Sequence, residues 1–177
     1  LAELKYGHIS EWDVSNVTNM SNLFNRCSEF NEDLSKWETT KVKNFSGMFQ
    51  RAKLFNQNIN CWDVSNATKM VNMFEGAISF NQPLNKWNVS NVKSMENMFS
   101  DAESFNQDIR NWNVSNVTNM KGLFHGAESF NQDIRNWNVA NVTNMWIMFY
   151  YAISFNQPLN KWDVSKVKTM QGMFSGA

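Results

Sequence analysis

A tryptophan stands at every twenty-fifth residue of this chain: Trp12, Trp37, Trp62, Trp87, Trp112, Trp137 and Trp162. A phenylalanine follows twelve residues later each time, from Phe24 to Phe174, and a second six residues after that, from Phe30 to Phe155. The period is kept without insertion or deletion. It accounts for seven of the eight Trp and thirteen of the fourteen Phe. Such a period is the signature of a repeat architecture, in which one unit cannot bury its apolar residues alone and must stack on its neighbours. We divide the 177 residues into one domain of seven repeats, 1–25, 26–50, 51–75, 76–100, 101–125, 126–150 and 151–177. The last repeat stops at "MFSGA" without a polar capping element, so we expect either a longer native chain or something covering this end.

Two patterns alternate within a unit. Val117, Met120, Leu123, Phe124 and Ala127 follow the steps of one helix face, with Ser115 or Asn116 placed to cap its first turn. Ile109, Trp112 and Val114 suggest a short strand whose Trp and Val share the buried side. These patterns predict an α/β solenoid, with one short parallel strand and one short helix per repeat. Buried Trp side chains need a carbonyl for the indole N–H. The Asn of the recurring "FNQ", such as Asn106, is placed to bond turn backbone from unit to unit. Pro83 and Pro158 follow that motif and suit a loop.

The frame Ile109-x-x-Trp112-x-Val114-x-x-Val117 is similar to the leucine-rich repeat, with Trp in a Leu slot. The longer run "FNQDIRNWNVSNVTNMKGLF" resembles the BspA-like leucine-rich repeat surface proteins, whose 25- or 26-residue units occur in bacterial surface proteins and mycoplasma lipoproteins. The resemblance spans essentially the whole chain. It implies a leucine-rich-repeat-like solenoid displayed outside the cell, lipid-anchored or carried on a larger particle. Its exposed face would serve adhesion, and no catalytic residues carry over.

Residue chemistry points the same way. Net charge is zero with basic residues scattered, which disfavours nucleic acid as a partner. No apolar run is long enough to span a membrane. His8 and His125 differ in repeat phase, and carboxylates recur with the period in an open row, so no catalytic constellation and no cofactor is expected. Asp108 and Asp133 stack in adjacent units, but Arg110 and Arg135 offset them, and we assign no metal site. The sequons beginning at Asn16, Asn66, Asn116 and Asn141 recur because a turn recurs, and we read them as structural. Cys27 takes an Ala slot and is expected to be buried. Cys61 points outward, and no disulfide joins the two.

Function on a repeat scaffold sits where the units differ or where they face outward. The outward row includes Arg110, Asn111, Asn113, Arg135, Asn136 and Asn138, and suits a glycan or a polar protein surface. The second candidate is "MWIMFYYA", where Trp146, Ile147, Tyr150 and Tyr151 replace small or polar residues. As a helix they would form an i, i+4 patch on the outer side, a contact site for a partner or for self-association. The expected function is non-enzymatic recognition of a protein or glycan. A structural subunit, packing through this patch and the open ends of the stack, is the alternative.

Overall fold

The computed structural model describes residues 2–177. Beyond one short helix, α1 (Ala2–Tyr6), and a 3₁₀ turn over Ile9–Glu11, the chain is built from turns. This corrects the α/β expectation, because the described repeats contain neither a strand nor a helix each. Successive 25-residue coils lie in parallel register. Single-residue bridges join Asn19 to Asn44, Lys69, Ser94, Asn119, Asn144 and Thr169 in turn.

The helix-like spacing has another cause. Val117 N–H donates to the Val114 carbonyl (2.9 Å), Leu123 to Met120 (3.2 Å), Ala127 to Phe124 (3.1 Å) and Phe130 to Ala127 (3.0 Å). Each closes a four-residue β-turn, so apolar residues recur at three-residue steps without a helix. Between these turns the backbone bonds outward to the following coil: Met120 N–H to Asn144, Gly122 to Trp146 and Phe124 to Met148, each at 2.9 Å, and Gly126 to Tyr150 at 2.7 Å. The residues expected to share a strand likewise belong to turns, since Trp112 N–H donates to Ile109 O at 3.1 Å.

Two features of each unit forbid the regular alternatives. Left-handed backbone occurs at two fixed phases, one holding Asn22, Gly47, Asn72, Asn97, Gly122, Ile147 and Gly172, the other Arg26, Arg51, Gly76, Asp101, Gly126, Tyr151 and Gly176. A positive φ breaks both helix and strand. Short polar side chains also capture the backbone two residues on. Asp108 Oδ1 accepts the Arg110 N–H, Asn113 Oδ1 that of Ser115, and Asn119 Oδ1 that of Lys121, at 3.0–3.1 Å. Asx turns of this kind compete directly with secondary structure. The residues proposed as helix caps serve differently: Asn116 Nδ2 reaches the Ser90 carbonyl of the preceding coil at 2.8 Å.

The core is a set of columns. Phe99 stacks on Phe105 within its coil (centroids 4.0 Å apart) and on Phe124 of the next (5.9 Å). Aromatic pairs of this kind add about 0.5–1.5 kcal/mol beyond area burial. Of the seven periodic tryptophans, Trp37 to Trp137 are buried as expected, Trp162 is half-buried and Trp12 in the first coil is exposed; each of their indoles finds a carbonyl. Trp112 Nε1 donates to Leu84 O and Trp137 Nε1 to Ile109 O, both at 3.1 Å. The FNQ asparagines form a continuous ladder: Asn81 Oδ1 accepts Asn106 N–H (3.0 Å), and Asn106 Oδ1 accepts Asn131 N–H (2.9 Å) and the Gln132 amide (2.9 Å). Cys27 departs from expectation. It is exposed, whereas Ala52 to Ala152 in the same column are fully buried.

Candidate functional site

The outward row lies where the coil turns between the buried Ile109, Trp112 and Val114, so the residues between them face solvent. Arg110, Asn111 and Asn113 are exposed, as are Asn136 and Asn138, and Arg135 is half-buried. The arginines fold back on their own coil. Arg110 Nε donates to Asp108 Oδ1 at 2.9 Å, and Arg135 Nε lies 2.9 Å from Asp133 Oδ2. Arg135 holds the Asp133 carboxyl below its ordinary value through its side-chain and then its backbone N–H. Burial raises Asp108, and the Arg110 backbone and guanidinium N–H groups outweigh it, so this carboxyl also ends below its ordinary value. Among the described residues no group of three or more His, Cys, Asp or Glu is arranged to hold a metal ion.

Asn113 and Asn138 commit their Oδ1 to Asx turns, to Ser115 and Ala140 N–H. Asn136 Oδ1 accepts from Lys161 Nζ at 2.9 Å. A shallow groove of 280 Å³ runs between Arg135, Asn136 and Asn138 on one coil and Lys161 and Asp163 on the next. A larger one of 410 Å³ continues the same face around Asn58, Asn60, Cys61 and Lys86. Both can take polar groups side-on. The sequon residues are engaged in coil-to-coil bonds instead: Asn141 Nδ2 donates to Ser115 O (2.9 Å) and Thr143 Oγ1 to Thr118 O (3.1 Å).

The aromatic residues come together, but not on a helix. Tyr150 N–H donates to Ile147 O at 3.2 Å, closing a turn, so the i, i+4 geometry does not exist. Trp146 and Tyr150 are held instead by the preceding coil, and Tyr151 by Tyr150. Lys121 Nζ lies 4.9 Å from the Trp146 ring centroid, and Lys121 is itself fixed by Glu96 Oε1 at 2.9 Å. The His125 ring meets Tyr150 edge-on, with centroids 5.2 Å apart, and Tyr150 meets Tyr151 edge-on at 4.6 Å. Trp146 is 39% exposed and Tyr151 54%, so these anchored rings face solvent. Ile147 and Tyr151 also occupy the two left-handed positions, at φ 49° and 54°. Such backbone costs an L-residue about 1–2 kcal/mol, and a β-branched residue is a rare occupant.

Sequence reasoning named Ile147 and Tyr151 but missed their left-handed backbone, and it missed Ile153, which is 60% exposed beside Tyr151. A signal for the left-handed positions was present: six of the seven glycines, all but Gly7, fall in just two of the twenty-five phases. Ile153 shares its phase with Lys53, Glu103 and Glu128, which marks that column as outward. Among the described residues no helix is long and apolar enough to cross a membrane.

A protein-family model described as "Mycoplasma protein of unknown function, DUF285" matches the chain twice, over residues 2–107 and over residues 81–177. Neither the curated proteins nor the solved structures yield a match.

Proposed function

The chain belongs to the DUF285 family of Mycoplasma proteins, and on that premise we propose that it is a non-enzymatic recognition scaffold displayed at the cell surface. The observation that carries this reading is the aromatic group Trp146, Tyr150 and Tyr151. It replaces small and polar residues and keeps Trp146 and Tyr151 in solvent with Tyr150 half-buried beside them, and Tyr151, like Ile147, holds a strained left-handed backbone. A coil optimised for stability alone would hold Gly or Asn at positions 147 and 151, as most other coils do with Gly, Asn or Asp. Exposed Trp and Tyr held rigid by neighbours are suited to be anchors, because little side-chain freedom is lost on contact. The grooved row of Arg110, Asn111, Asn113, Arg135, Asn136 and Asn138 supplies a second, polar face for a glycan or a protein. The resemblance to BspA-like surface repeats supports adhesion as the setting.

The test is binding of the purified chain to arrayed glycans and membrane glycoproteins. Replacing Trp146 and Tyr150 by Ser is expected to abolish protein contacts while the circular dichroism spectrum is unchanged. Replacing Arg110 and Arg135 by Ala is expected to weaken glycan capture. Full retention of binding by both double variants would exclude both faces.

A further inference from the structure

The edge that carries Tyr151 and Ile153 has a charge order that reverses onto itself. Lys53, Ile78, Glu103, Glu128 and Ile153 succeed one another in a single column. Backbone bonds from Ser79 N–H to Lys53 O (3.1 Å), Ser104 to Ile78 (3.2 Å), Ser129 to Glu103 (3.1 Å) and Ser154 to Glu128 (3.2 Å) hold them. Beside it runs the column Arg26, Arg51, Gly76, Asp101, Gly126 and Tyr151. Turned end over end about Gly76 and Ile78, the first column sets Lys53 against Glu103, and the second sets Arg51 against Asp101. Lys53, Asp101 and Glu103 are exposed and in no ion pair among the described residues, and Arg51 has only Glu75 at 3.7 Å.

We propose that this edge is an isologous interface, in which a second copy of the chain docks antiparallel with its two-fold axis at Gly76 and Ile78. The proposal rests on reading the aromatic group as a contact site, and it names the occupant. A self-complementary patch is what two-fold pairing requires, since each contact is made twice. Arg51 and Lys53 of each copy meet Asp101 and Glu103 of the other. Coils about 4.8 Å apart put the clusters equally far from the axis on either side of it, one coil away each, so no sliding is needed. Small residues allow close approach where the edges cross: Gly76, Ser79 and Ser104. Glu29 is the one like charge brought toward Glu128, and Arg26 in its own coil offsets it. At the far end Tyr151 and Ile153 approach α1 of the second copy, where Leu4 and Tyr6 are exposed. The apolar ends and the charged middle therefore match in one register.

Size-exclusion chromatography with light scattering tests this directly. The wild-type chain is expected at twice its 20.6 kDa mass. Arg51→Glu with Lys53→Glu should run as a monomer, as should Asp101→Lys with Glu103→Lys. An equimolar mixture of the two variants should restore the dimer, because reversed charges then face each other. All four positions are exposed, and circular dichroism checks that each variant is folded. A monomeric wild type at the highest soluble concentration overturns the proposal, as does a dimer indifferent to both reversals. If the wild type is monomeric and the Trp146/Tyr150 variant still loses glycoprotein binding, the second copy is excluded while the recognition function stands.

Discussion

The carboxamide oxygen of Asn97 occupies the space that a β-carbon on Gly122 would fill. The same relation links Asn22 to Gly47 and Asp101 to Gly126, so a side chain at a left-handed position lies over a glycine in the next coil. Gly122→Ala is expected to cost about 1–3 kcal/mol, from the positive φ and the collision together. Removing the collision with Asn97→Gly in the same chain should recover part of that loss. Urea unfolding of the single and double variants measures the coupling.

The asparagine ladder should behave as a series of local bonds. Asn106→Ala leaves the Asn131 N–H without its acceptor and the Gln132 amide with only the backbone carbonyl of residue 106, and the expected cost is about 1–2 kcal/mol. Hydrogen exchange gives a sharper reading. The Asn131 amide should exchange faster in the variant, while the Asn81 to Asn106 step one coil earlier keeps its protection.

Acid should loosen the turns that use aspartate. The Ser65 hydroxyl and backbone N–H both bond the Asp63 carboxylate and hold its pKa below the ordinary value. Because the folded value is the lower one, this contribution is complete above the unfolded pKa and is lost as pH falls through the folded one. Asp63→Asn keeps the oxygen acceptor, as Asn88 and Asn113 show in the same column. The variant is expected to match wild type near neutrality and to lose less stability on acidification below pH ~4. Thermal melts across that range decide it.

Relief of strain should separate stability from contact. Ile147→Gly places at φ 49° the residue type found there in Gly47, Gly122 and Gly172. We expect a gain of up to about 1 kcal/mol, the strain relief being partly offset by the greater freedom of glycine in the unfolded chain. Tyr151→Gly is expected to be near neutral in stability and to lose partner binding. A matched fall in both stability and binding would mean that these residues are ordinary packing.

The apolar residues were readable from sequence with little error. Val117, Met120, Leu123, Phe124 and Ala127 are all buried, and the Trp and Phe columns stand where the period put them. The backbone joining them was not, because successive β-turns at three-residue steps and a helix face produce nearly the same spacing. The distinguishing information lay in polar residues read too lightly. Asn113 and Asn119, each two residues before the N–H it captures, and glycines confined to two phases describe turns. The aromatic group at 146–151 was found because it breaks the repeat. Its exposure and its support by Lys121 and His125 depend on the stacking of coils, which spacing within one unit does not encode.

The indole bonds also give the stack a direction in time. Trp37 reaches back to Ile9, Trp62 to Leu34 and Trp162 to Ile134, each donating to a carbonyl twenty-eight residues earlier. In the asparagine ladder the later coil again supplies the N–H and the earlier coil the acceptor. A chain emerging amino terminus first would therefore have every one of these acceptors waiting before its donor is made. Assembly during synthesis could proceed by adding one finished layer to the last, with no need to hold distant segments in reserve.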